Sequence, residues 1–226
     1  MKARTIAFAL AWTLPSLALA QGIPLPAKEV SLSLSAFVNA PAKDGAGLTV
    51  TSPAVKDFGD MPIPNTERGG STFPGLSWAK GPPGTKTYAI VEQDTDGWRF
   101  GRAILHWSAY NYPAGVTTLA PGQSLAGGAK NGPNIRGPGL PYRGPGAPQG
   151  VKHRYRFQVF ALDTVIPDDA AQDYAPFVEA MKGHVLASGQ LVTLGFLRPG
   201  ETPPPPPSPP PRPPGYTGPE NLPPGG

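Results

Sequence analysis

Tyr142-Arg143-Gly144-Pro145-Gly146-Ala147-Pro148-Gln149-Gly150-Val151-Lys152-His153-Arg154-Tyr155-Arg156-Phe157 is the stretch on which the fold turns. Its first half is dense in glycine and proline, the residues of loops and turns. Its second half passes into Arg154–Asp163, rich in Phe, Tyr and Val, which reads as a β-strand. His153 stands where the loop becomes the strand. Strand ends and the loops beside them are places where polar side chains converge without being buried unpaired.

Outward from this stretch, the same two textures alternate. Val30-Ser31-Leu32-Ser33-Leu34-Ser35 alternates apolar and polar strictly, which predicts a strand with one buried face. Thr87–Glu92, Ala103–Asn111 and Gly189–Leu197 also read as strands, and the long segment Gly127–Gly150 as a loop. Only Asp168–Lys182 reads as a helix: acidic residues open it, Phe177, Val178, Ala180 and Met181 form an apolar stripe, and Gly183 can stop it. The pattern predicts an all-β sandwich with a minor helix and long Gly/Pro-rich loops. No cysteine is present, so stability must come from an ordinary core rather than from disulfides.

Both ends differ in texture from the middle. Lys2 and Arg4 precede an apolar run from Ile6 to Leu19 that ends in Ala18-Leu19-Ala20, the pattern of a cleaved signal peptide over residues 1–20. This predicts a periplasmic or secreted protein, and no later apolar run is long enough for an integral membrane protein. From Pro199 onward the chain holds fourteen of its thirty-three prolines, so 199–226 reads as a polyproline II or disordered tail. That tail is a spacer or a docking segment for a protein partner. Residues 21–198 are left as one domain. The formal charge of +4 falls to +2 without Lys2 and Arg4, and no cationic cluster remains, which argues against a nucleic-acid partner.

Two of the three histidines stand out. His106 lies in the strand Ile104-Leu105-His106-Trp107, His153 opens another, and Asp94-Thr95-Asp96 follows a strand ending near Gln93. Two histidines and an aspartate also compose a metal-binding set on paper, and His153 with Asp94 is a conceivable acid–base pair. The chain carries no G-x-S-x-G elbow, P-loop or H-E-x-x-H segment. Trp78 and Trp107 read as core anchors. His184 reads as a residue that satisfies a carbonyl past the helix stop, and Asp163 as one that orders a turn. Asp96 is open between site and loop support.

The motifs in order carry a resemblance. Phe73-Pro74-Gly75-Leu76-Ser77-Trp78 with Pro83-Gly84-Thr85-Lys86, then Asp94-Thr95-Asp96, His106-Trp107, Asn111-Tyr112-Pro113-Ala114, the Tyr142–Phe157 stretch, Val159–Asp163 and His184–Ala187 follow one another. Together they resemble the phosphatidylethanolamine-binding protein family in its bacterial Raf-kinase-inhibitor-like branch, over roughly Ser31 to Arg198. The resemblance implies an antiparallel Greek-key β-sandwich whose pocket holds phosphate, a phospholipid headgroup or a similar small anion. Carried over to this chain, Asp94, His106, Gly146, His153 and Tyr155 would line that pocket. No cofactor and no metal are implied, and the expected role is that of a binding protein rather than an enzyme. An inhibitor or regulator of a protein partner, such as a hydrolase, is the alternative. The family's D-P-D-A-P loop is Asp94-Thr95-Asp96-Gly97-Trp98 here, without either proline. Gly97 is therefore expected to loosen the rim, with Trp98 replacing apolar surface.

Overall fold

The computed structural model describes residues 22–146, 149–198, 200, 212 and 214–218. The expected signal peptide, and all of the expected tail 199–226 except 200, 212 and 214–218, lie outside the described residues. Among the described residues nine strands form two sheets. In chain order they are β1 (Val50–Thr51), β2 (Gly59–Asp60), β3 (Leu76–Trp78), β4 (Thr87–Arg99), β5 (Arg102–Pro113), β6 (Thr118–Leu119), β7 (Lys130–Asn131), β8 (His153–Leu162) and β9 (Val185–Gly195). The large sheet has the order β2-β9-β8-β4-β5-β7, and the small one β1-β3-β6. All pairings are antiparallel except β2 with β9.

The large sheet is covered on both faces, which is why β4 and β8 are buried along most of their length. On one face Tyr88, Ile90, Trp107, Phe157 and Val159 pack against Val50, Leu76, Trp78 and Leu119 of the small sheet. On the other, Ala89, Val91, Leu105, Phe160 and Leu162 pack against Phe177, Val178 and Met181. Those three belong to the helix α2 (Tyr174–Met181), capped by the Asp173 carboxylate, which accepts from the Tyr174 N–H. The helix is shorter than the expected Asp168–Lys182, because Ala170–Gln172 form a separate 3₁₀ turn and Asp173 is extended. Gly183 ends it as expected, with φ +73°.

Val30–Ser35 is not a strand. Leu32–Leu34 form a 3₁₀ turn, and a short helix spans Ala36–Asn39. Ser31 and Ser35 are buried while Val30 is exposed, the reverse of the expected alternation. The cause is the serine itself: Ser31 Oγ donates to the carbonyls of Thr95 and Gly97, and its backbone N–H to Thr95. Such side-chain bonds offer the backbone an alternative to a sheet ladder. The segment instead covers the polar part of the second sheet face. There the Phe37 N–H donates to Gln158 Oε1 at 2.7 Å, and Glu29 accepts from Arg156 Nε at 2.7 Å.

Strand β4 also runs past Gln93, to Arg99, before the turn at Phe100-Gly101. The expected loop is a bulge inside it: Asp94 faces Ile104 and Trp98 faces Ala103, so residues 95–97 are extra. At the tip of this hairpin the end of the chain returns. The Tyr216 and Phe100 rings meet edge to face at 5.7 Å, with the Arg212 guanidinium 5.7 Å from the Phe100 centroid.

Candidate functional site

The large sheet brings four of the five expected residues together, three by register and His106 through a bulge. On β8, His153, Tyr155 and Phe157 point to the same face, since side chains alternate along a strand. Tyr155 lies directly opposite Asp94 of β4. His106 reaches the group through a bulge in β5: Trp107 faces Glu92 and Leu105 faces Gln93, so His106 is the extra residue between them. A bulge of this kind re-aims a side chain, and it brings the His106 ring to 5.0 Å from the Tyr155 ring at 68°.

Asp94 organises the cluster. Its Oδ1 accepts the N–H groups of Asp96 and Gly97, both at 2.9 Å, and its Oδ2 lies 2.7 Å from His153 Nδ1. The carboxylate therefore ties the bulge and holds the histidine at once. Gly97 does not loosen this rim. A Cβ there would stand 2.4 Å from Ile104 Cδ1 and 2.9 Å from Asp94 Oδ2, so glycine lets the bulge close tightly. Asp96 is loop support: it accepts from the Arg154 backbone N–H and from Arg154 Nη1, each at 2.7 Å. Trp98 is half-buried, as a residue covering the rim would be.

The fifth residue, Gly146, comes from the loop before β8. That loop is anchored by the Glu67 N–H, which donates to the Pro145 carbonyl at 3.0 Å, and by Tyr142 Oη, which donates to the Asn65 carbonyl at 3.2 Å. Glu67 also pairs with Arg143. The Gly146 amide lies close enough to the Tyr155 hydroxyl to favour its ionised form, although burial outweighs it. A Cβ on Gly146 would stand 2.3 Å from Glu67 Oε2, so the glycine also lets that carboxylate approach.

The charge states follow from burial and neighbours. Burial works against a charged His153, but the hydrogen bond and charge of Asp94, joined by Asp96, raise its pKa above the ordinary 6.5. His106 moves the other way, down to about 4: burial is the main cause, and His153 adds to it against the pull of Asp94. Burial, with Asp94 and Glu92, pushes the Tyr155 hydroxyl well above its ordinary range. At neutral pH the group thus offers a cationic or readily protonated His153, a neutral His106 and a protonated phenol. All can donate hydrogen bonds to one oxyanion. Among the described residues the hydrogen-bond partner of the His153 ring is Asp94, and no serine, threonine or cysteine side chain bonds it. Among the described residues no group of three or more His, Cys, Asp or Glu is arranged to hold a metal ion.

Sequence reasoning missed Glu92, which sits between Trp107 and Phe157 on the same face as Asp94, fully buried. It also missed Gly195, opposite His153 on β9, where a Cβ would stand 2.6 Å from the Tyr155 ring. Trp78 and Trp107 are core anchors as expected. His184 Nδ1 meets Asp163 Oδ1 at 2.7 Å in a half-exposed group with Lys43, and among the described residues its ring bonds no carbonyl. Two hollows of about 330 and 460 Å³ lie around the hairpin tip, Arg102, Asp173 and the returning end of the chain. Neither is lined by any of the five clustered residues.

Comparison with known proteins places the fold in a known family. Residues 51–196 match the phosphatidylethanolamine-binding protein family, and the chain belongs to that family. It is 37% identical over 145 residues to a UPF0098 protein of Methanothermobacter thermautotrophicus, covering 62% of this chain and 93% of that one. It is 36% identical to the UPF0098 protein YbcL of Escherichia coli over 55% of this chain and 69% of that one. The crystal structure of E. coli YbcL, described as a member of the mammalian PEBP family, superposes with a TM-score of 0.61 at 29% identity, covering 68% of this chain and all of that one. A phosphatidylethanolamine-binding protein homologue of Chlamydia trachomatis gives a TM-score of 0.60 at 29% identity over 67% of this chain and 98% of that one.

Proposed function

We propose that this protein is an exported binding protein that takes a small oxyanion, as phosphate or a phosphate-bearing lipid headgroup, at the His106–His153–Tyr155 cluster, without turning it over. The observation that carries the reading is the Asp94–His153 contact at 2.7 Å beside the Tyr155 and His106 rings. It raises the affinity of His153 for a proton, and a bound anion would raise it further. His106 and Tyr155 add uncharged donors, and the Gly146 backbone can approach closely because it lacks a side chain.

Export is supported by the leader pattern of residues 1–20 and by a relative of Mycobacterium tuberculosis that bears the name lipoprotein LppC, 32% identical over 56% of this chain and 61% of that one. Among the described residues no helix is long and apolar enough to cross a membrane. Regulation of a protein partner through the tail draws less support, because its described residues already pack on the chain's own Phe100. Isothermal titration of the full chain with phosphate and with phosphoethanolamine tests the reading. Saturable binding that is lost in His153→Ala supports it, and flat titrations of the folded wild type overturn it. A preference for phosphoethanolamine would point to the lipid source of the group.

A further inference from the structure

Glu92 breaks the chemistry of its surroundings. It occupies a core-facing position between Trp107 and Phe157, and neither carboxyl oxygen has a hydrogen-bond partner or exposure to solvent. A buried carboxylate left in that state is costly. Burial, with the charge of Asp94 added, holds Glu92 in its protonated form. It is therefore an O–H donor without an acceptor. Across the β5 bulge the reverse deficit occurs. His106 Nδ1 is also sealed from solvent and unpartnered, and a neutral imidazole needs one nitrogen to accept. The two groups sit on paired strands: Glu92 faces Trp107, and His106 is the bulged residue next to it. Tyr155 ties them further, because its ring touches His106 and its hydroxyl lies within electrostatic reach of the Glu92 carboxyl.

We propose that Glu92 is a positioning residue, whose protonated carboxyl donates to one buried water that in turn donates to His106 Nδ1. This bond fixes His106 as the Nε2–H tautomer. The other ionisable groups around the pair are Asp94, Tyr142, Tyr155 and His153. Asp94 is committed to His153, Asp96 and Gly97, and the Tyr142 hydroxyl to Asn65. With Nδ1 occupied as an acceptor, the remaining His106 proton sits on the nitrogen free to meet a ligand. The tautomer is independent of ligand binding; only its consequence, a fixed neutral donor in the pocket, rests on the anion-binding reading. The fixed donor makes the site specific for an acceptor atom at that position and does so without adding charge.

Nitrogen-15 NMR of the His106 ring at neutral pH, in the full chain, tests the assignment with Glu92→Gln and Glu92→Met. The wild type is expected to show the Nε2–H form. Glu92→Gln, which keeps an N–H donor, retains it. Glu92→Met, which packs the site without one, lets the Nδ1–H form appear and weakens phosphate binding about tenfold, the loss expected for one hydrogen bond. An Nδ1–H ring in the wild type, or an unchanged Nε2–H ring in Glu92→Met, overturns the proposal. If the tautomer responds to Glu92 while phosphate fails to bind wild type, the positioning role stands and the anion-binding reading falls.

Discussion

His153 Nδ1 and Asp94 Oδ2 stand 2.7 Å apart across the β4–β8 pair, and the second oxygen of the same carboxylate closes the bulge that carries it. One side chain therefore sets the rim of the site and the charge of its histidine. The consequences of disturbing it are correspondingly coupled.

Asp94→Asn should lower the His153 pKa and weaken anion binding at neutral pH together. The sign follows from the raised folded-state value. Stability from the charged ring is fully present below the ordinary 6.5 and lost as pH rises through the folded pKa. The variant should lose that pH-dependent stability difference. Histidine NMR titrations and thermal melts between acid and neutral pH check it; an unchanged His153 midpoint would contradict the coupling.

Glu92→Gln should stabilise the fold, more at alkaline than at acid pH. The folded-state pKa of Glu92 is raised, so the native state holds its proton while the unfolded chain releases it above the ordinary 4.5. Stability is thus lost as pH rises from 4.5 toward the folded pKa, and glutamine removes that loss. Each gain of about 1 kcal/mol raises the melting midpoint by about 2–4 °C in a chain of this size. Melting curves of both proteins across the pH range measure it.

The contrast between Asp94 and Glu92 shows what was legible in the sequence. Asp94, His106, Gly146, His153 and Tyr155 sit inside the motifs that carry the family resemblance, and it is that resemblance that groups them. Glu92 sits in Val91-Glu92-Gln93, where an acidic residue in a strand reads as a solvent face. Only the covering of the large sheet on both faces makes it interior. The same covering explains the Ser31 error: alternating leucine and serine specifies two faces but not which is inward, and the carbonyls of Thr95 and Gly97 draw the serine inside. The rim, too, was expected to be loose for want of proline, whereas hydrogen bonds to Asp94 replace proline's restriction of the backbone.

Gly195→Ala should crowd the site. The added methyl would stand 2.6 Å from the Tyr155 ring and 2.7 Å from Pro145 Cβ, so ring or loop must move. Overpacking of this kind costs about 1–3 kcal/mol. Denaturant melts should show the loss, and the Tyr155 ring signals should shift; unchanged signals would mean the loop yields instead.

Tyr216→Ala should uncover the hairpin tip. The Tyr216 ring lies 5.7 Å from Phe100, and a Cβ on Gly101 would stand 3.1 Å from it. Removing it should shift the Phe100 ring protons by loss of the edge-to-face contact, while leaving His106 and His153 unaffected. Proton NMR of the aromatic region checks both halves of the expectation.

The most direct test of the anion site is a phosphate titration of the full chain followed through the ring signals of His106 and His153. Binding at the cluster predicts saturable shifts of both rings with one common dissociation constant, a rise in the His153 pKa in the bound state, and loss of these responses in His106→Ala and His153→Ala. Ring signals that stay fixed while phosphate is raised to saturating excess would contradict the claim that these residues hold the anion.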